Sequence, residues 1–237
     1  MIPGRKHQRD GFETEVSIEL GKTLLGGTLG MPDKTRGVVL FAHGSGSSRH
    51  SPRNRYVAEV LRSQGIGTLL FDLLTSDEES IDDLTGELRF NIPFLARRLA
   101  DATRWLMQRP DMTNMRLGYF GASTGAAAAL VAAAELPNAV GAIVSRGGRP
   151  DLAGNALRVV RAPTLLIVGG DDEPVIGMNQ DALTKLRCEK KLVIVPGATH
   201  LFEERGTLEE VARLAAEWFK QHFTSAESAS AQASSRS

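Results

Sequence analysis

Hydrophobic positions along the chain change period several times, and each change marks an element. Residues 13–20 and 22–29 alternate apolar and polar and are separated by Gly21. They predict an antiparallel strand pair at a sheet edge. Residues 37–42 are continuously apolar, as in a strand covered on both faces. Residues 53–64 carry Val57, Val60 and Leu61 on one face and stop at Gly65, the pattern of a helix with its C-terminal glycine. A strand over 66–71 follows, then a helix over 92–108 with Leu95, Leu99, Ala102 and Leu106 at helical spacing.

The alternation continues through the second half. Strands are predicted at 115–120, 140–145, 163–168 and 191–195, with helices opening at 126 and covering 178–186. Thr207 and Glu210 have the spacing of a capping box, and the helix they would start turns Val211, Leu214, Ala215, Trp218 and Phe219 inward. From residue 224 the chain is rich in Ser and Ala with almost no large apolar side chain, which predicts a disordered tail over 224–237 behind a single domain over 1–223. Alternating strands and helices imply an α/β fold: a mostly parallel sheet of about eight strands with helices on both faces. In such sheets the site lies beyond the carboxyl ends of the strands. His43, Asp72, Ser123, Arg146, Asp172 and His200 all follow strands, so the topology gathers them on one rim.

Composition narrows the function classes. Lys+Arg and Asp+Glu both number 28, so no overall field draws the chain to nucleic acid or to a membrane. The single cysteine, Cys188, cannot form an internal disulfide. No apolar run approaches the roughly 20 residues that cross a bilayer. The charged N-terminus lacks the apolar stretch of a secretory signal. The expectation is a cytoplasmic protein. No histidine pair has metal-ligand spacing, so no metal is inferred.

The chemistry centres on Gly121-Ala122-Ser123-Thr124-Gly125, between the strand at 115–120 and the alanine-rich helix that follows. Strand, G-x-S-x-G and helix is the setting that exposes a serine oxygen on a tight turn. Protonated serine is a poor nucleophile and needs a base. His200, in the loop after the last strand, is the candidate. An imidazole in that role needs an acceptor to fix its tautomer. Asp171 and Asp172, at the end of the strand over 163–168, supply acids.

The order Ser123, Asp172, His200 resembles that of α/β-hydrolases, and the size of the chain resembles the dienelactone-hydrolase-like branch. Phe41-Ala42-His43-Gly44-Ser45-Gly46-Ser47-Ser48, the elbow, Gly169-Gly170-Asp171-Asp172-Glu173-Pro174-Val175 and Gly197-Ala198-Thr199-His200 carry the resemblance. It covers nearly everything from the first strands to about residue 223. The family frame of glycine three before and valine three after the acid favours Asp172 over Asp171. Dienelactone hydrolases proper use a cysteine nucleophile, and Ser123 departs from them toward ordinary ester chemistry. The resemblance implies an oxyanion hole from the backbone N–H groups of Thr124 and Ser45, and no cofactor. The expected activity is cleavage of small carboxylic esters through a Ser-His-Asp triad and an acyl-enzyme.

Plainer readings stand beside each assignment. Ser123 could cap a helix, His200 could be a loop histidine, and Asp171 or Asp151 could take the acid's place. His43 reads as structural, holding the oxyanion loop. Gly44-Ser45-Gly46 followed by Asp72 imitates a dinucleotide site, but Arg49 stands where its third glycine should be. A thioesterase or a non-catalytic binding module remains an alternative to an esterase. Only residues 146–162 separate two strands where this fold often inserts a cap, so a capless site with one short helix near 151–160 is expected. Residues 75–91 read as a long acidic loop forming a partial flap, with Leu73, Leu74 and Phe90 as apolar wall for the substrate. Arg49, Arg53, Arg55, Arg146 and Arg149 crowd the rim. They serve either an anionic substrate, with Arg53 and Arg146 foremost, or ion pairs with Asp72, Asp77 or Asp151.

Overall fold

The computed structural model describes residues 13–35 and 37–234, the last eleven by backbone only. The strands are β1 (Glu13–Leu20), β2 (Thr23–Gly30), β3 (Gly37–Ala42), β4 (Gly67–Phe71), β5 (Arg116–Ala122), β6 (Val140–Arg146), β7 (Thr164–Gly169) and β8 (Lys190–Val195). They form one sheet in the order β1-β2-β4-β3-β5-β6-β7-β8. β1 and β2 are antiparallel, as is β2 against β4, and every later neighbour is parallel. The expected edge hairpin turns at Gly21, whose φ of 65° is left-handed.

Alternate side chains of the central strands enter opposite layers. Val38, Leu40 and Ala42 of β3 join one core with helices α3 (Ile92–Met107) and α4 (Thr124–Glu135). Val39 and Phe41 join the other, beneath α1 (Pro52–Ser63) and α6 (Thr207–Ser234). Both faces are therefore apolar, which is why these strands read as unbroken hydrophobic runs. From β3 the chain goes first to β4 on one side and then back to β5 on the other. That reversal opens a crevice at the carboxyl ends of β3 and β5.

Four features differ from the sequence reading. Residues 75–91 contain helix α2 (Ser76–Thr85), not a continuous loop. Its start is a capping box: Thr75 Oγ1 accepts from the N–H of Glu78, and the Glu78 carboxylate accepts from the N–H of Thr75. Gly86, at φ 67°, ends it. The buried Asp82 then accepts from the N–H groups of Leu88 and Arg89 and from Arg89 Nε, which folds the chain back toward α3. The box expected at Thr207 is not formed. The Glu210 N–H donates to the Gly206 carbonyl, Thr207 Oγ1 donates to the Glu204 carbonyl, and Glu210 pairs with Arg213. Helix α5 (Glu173–Lys185) begins five residues before the predicted 178, immediately after Asp172. The backbone of α6 continues to Ser234 through the segment read as a tail. Alanine, frequent in that segment, favours helix, and the remaining three residues lie outside the described ones. Between β6 and β7 a short 3₁₀ segment (Pro150–Arg158) stands where a cap would be inserted.

Candidate active site

Ser123 lies between β5 and α4 with φ 51° and ψ −121°, a strained conformation for a residue with a side chain. The flanking glycines explain how the turn is possible. A Cβ on Gly121 would stand 2.4 Å from Ala126 Cα, and one on Gly125 would stand 2.1 Å from the Ala42 carbonyl oxygen. The turn is anchored by the Ser123 N–H, which donates to the Arg146 carbonyl at 3.2 Å. Ser123 occupies the cap position of α4, yet its side chain makes no capping bond, so its hydroxyl is not spent on the helix.

Ser123 and His200 line the same cleft, of about 250 Å³. Among the described residues no hydrogen bond yet joins the two. Nδ1 of His200 lies 2.7 Å from Asp172 Oδ2. Asp172 stands at the cap position of α5 and makes no capping bond; its carboxylate is turned to the imidazole instead. Asp171 is exposed and Asp151 pairs with Arg149, whereas Asp172 meets the imidazole. Phe202, two residues past the histidine, has φ 56° and a ring that is 1% exposed, which pins the loop to the core between the sheet and α1 and α6.

His43 is a structural residue. Its Nε2 accepts from the Leu73 N–H at 3.1 Å, so Nδ1 carries the proton and donates to the Gly44 carbonyl at 3.0 Å. Burial lowers its pKa, against the opposing pulls of the Gly44 carbonyl, Asp72 and Glu79. The loop it holds brings Ser45 beside Thr124, but the Ser45 N–H is not free: it donates to Thr124 Oγ1 at 3.0 Å. This bond ties the loop after β3 to the elbow.

Leu74 lines a separate small cleft on the far side of Ser45, together with Leu73, Leu95 and α2. Phe90 is 60% exposed and lines neither cleft, so it is no wall for a substrate in this structure. The rim arginines divide. Arg49 pairs with Asp72 and Glu15, and Arg149 with Asp151. Arg53 pairs with Glu203 while also bordering the Ser123 cleft. Arg146 borders it too, and no carboxylate faces it among the described residues. Because Arg49 occupies both oxygens of Asp72, that carboxylate is not free to meet a ribose, as a dinucleotide site would require. Among the described residues no group of three His, Cys, Asp or Glu side chains is placed to hold a metal ion, and no helix is long and apolar enough to cross a membrane.

A parallel-centred sheet with a partly buried serine on the turn after β5, an acid after β7 and a histidine after β8 defines an α/β-hydrolase. Within that class the chain belongs to the dienelactone hydrolase family, whose model matches residues 25–229. It is similar to the crystal structure of a dienelactone hydrolase from Anabaena variabilis, with 60% identity and a TM-score of 0.89 over 90% of this chain and 99% of that one. Est1E from Butyrivibrio proteoclasticus, 16% identical with a TM-score of 0.73 over 88% of this chain and 98% of that one, shares the fold. A Mycobacterium tuberculosis protein carrying the provisional name phosphoribosyl transferase is 57% identical over 89% of this chain and 46% of its own length. The chain thus spans about half the length of that relative.

Proposed function

We propose that the protein is a serine hydrolase of small carboxylic esters. The observation that carries this reading is the 2.7 Å contact of His200 with Asp172 at the mouth of a cleft that also holds Ser123. Rotation of the Ser123 side chain toward Nε2 of His200 sets up the nucleophile; such contacts are often loose before substrate arrives. Ser123 Oγ attacks the acyl carbon as His200 takes its proton. The imidazolium, steadied by Asp172, passes that proton to the departing alcohol. Water then attacks the acyl-enzyme with His200 again as base, releasing the acid and restoring the serine.

Charge developing on the carbonyl oxygen is met by the Thr124 N–H at the start of α4, and by the Ser45 N–H shared between that oxygen and Thr124 Oγ1. Each step uses side chains and backbone of this chain alone, and a thioester would be cleaved by the same groups.

A fluorophosphonate probe tests the proposal. The wild type should be labelled and Ser123→Ala should not. A wild type that folds but resists labelling would make the chain a hydrolase-like binding module.

A further inference from the structure

We infer that the side-chain hydroxyl of Thr124 is a catalytic hydrogen-bond donor to the oxyanion, polarised from behind by the Ser45 N–H. The inference rests on the hydrolase reading above and adds to that site a donor that no backbone amide supplies.

Thr124 is the first residue of α4 and is only 3% exposed. Its Oγ1 accepts the Ser45 N–H at 3.0 Å. The hydroxyl proton has no acceptor among the described residues. A threonine inside a helix can give that proton to the carbonyl four residues back. Thr103 gives it to Leu99 at 2.7 Å, and Thr85 to Ile81 at 3.3 Å. Four residues before Thr124 stands Phe120, in β5, so no helical carbonyl lies behind this hydroxyl. A buried O–H that accepts without donating leaves bonding capacity unused, at a cost. An acceptor that arrives with the substrate accounts for it.

Oγ1 stands where that acceptor would lie. It is joined through Cα and Cβ to the Thr124 N–H and touches the amide of Ser45, so it sits between the two backbone donors of the site. The loop bearing Ser45 is pressed against the elbow. A Cβ on Gly44 would stand 3.1 Å from Ser123 Cβ and 3.2 Å from the Ala122 carbonyl oxygen. His43 holds the start of the loop through the Leu73 N–H, and Asp72 holds its far end through the Arg49 N–H at 2.8 Å. Ser45 is thereby fixed, and its N–H keeps the threonine oxygen in place while the hydroxyl proton can turn toward substrate.

As Ser123 Oγ bonds to the acyl carbon, the π pair of the carbonyl moves onto its oxygen. The Thr124 O–H donates to that oxygen and keeps its proton. When the alcohol leaves, the pair returns to the carbon–oxygen bond and the contact relaxes. A neutral carbonyl gains an ordinary hydrogen bond, whereas an oxyanion gains a charge-assisted one about twice as strong. The hydroxyl therefore acts mainly on the transition state. Accepting the Ser45 N–H polarises the O–H and strengthens it as a donor. No acidic side chain in the first turn of α4 opposes the developing charge.

The test compares Thr124→Ser, Thr124→Val and Thr124→Ala on a neutral aryl ester, with melting temperature as a check on folding. Thr124→Val and Thr124→Ala should each lower kcat by roughly 10²–10³ while KM changes little, the signature of a donor used in the transition state. Thr124→Ser keeps the hydroxyl and should restore most of the rate. Affinity for an alkyl trifluoromethyl ketone, which forms a tetrahedral oxyanion with the serine, should fall in parallel with kcat/KM across the series. A packing role would not produce that parallel. If the Ser45 N–H is itself the donor, removing the hydroxyl releases it, and Thr124→Val and Thr124→Ala turn over at least as fast as the wild type. That result, or a Thr124→Ser variant as slow as Thr124→Val, would overturn the assignment. If the fluorophosphonate labels the wild type in that event, the hydrolase reading survives; an unlabelled wild type removes both. Should Thr124→Val fail to fold, Thr124→Ala and Thr124→Ser, with smaller side chains, still decide the matter.

Discussion

Gly125→Ala should harm turnover far more than it harms folding. The added Cβ would lie 2.1 Å from the Ala42 carbonyl oxygen and 2.5 Å from that of His43, both backbone atoms at the end of β3. Ordinary contact begins at 3.4 Å, so against 2.1 Å the strand end must retreat by about 1.3 Å. Overpacking of this kind costs roughly 1–3 kcal/mol, which a domain of this size survives. The displaced backbone leads directly into Gly44 and Ser45, beside the nucleophile, and a misplacement of about 1 Å in a reacting geometry costs on the order of 10²-fold in rate. Gly177→Ala in α5 is the control, because an added Cβ there meets nothing within 4 Å. Alanine at that position should stabilise the helix by roughly 0.5–1 kcal/mol. Urea midpoints and kcat on a neutral ester read both effects. Wild-type kcat in Gly125→Ala, or an equal loss in Gly177→Ala, would refute the steric argument.

Asp172→Asn should lower kcat by about 10⁴-fold while the protein remains folded, since an amide no longer fixes the imidazole tautomer; Asp171→Asn should be near wild type, and the reverse ranking in steady-state assays would transfer the role. His43 gives a pH signature. Its folded pKa is depressed, chiefly by burial, so the unfolded chain binds a proton that the folded one does not. Stability is therefore full above about pH 6.5 and falls as the pH drops from there toward the folded value. His222, also lowered by burial, adds to the same slope. His43→Gln should flatten the dependence of urea midpoints between about pH 6.5 and 5; an unchanged slope would show that the ring does not titrate on unfolding.

The tight turn at Ser123 and the meeting of Asp172 with His200 could be anticipated because each rests on short-range grammar: glycines where a Cβ cannot fit, an aspartate at a fixed offset within a strand-end motif, and a histidine after the last strand. Helix α2 was hidden because its apolar positions are few. Its capping box and the buried Asp82 organise it, and neither raises hydrophobic periodicity. At Thr207 the same capping grammar misled, since the helix starts from the Gly206 carbonyl instead. The rim arginines were visible as residues, but not their pairing: which of them meets a carboxylate depends on side chains up to 150 residues away, as with Arg53 and Glu203. The conflict between the Ser45 N–H and Thr124 Oγ1 is likewise a tertiary fact, spanning 79 positions.

Phe202 gives the histidine loop an unusual dependence. Its left-handed backbone is tolerated only because the ring is gripped by the core beneath α1 and α6. Aim and grip are thus one property. A softened contact far below the rim, between α6 and the sheet, would first register as a wandering imidazole. The enzyme would lose speed while its melting curve still resembled that of an intact molecule.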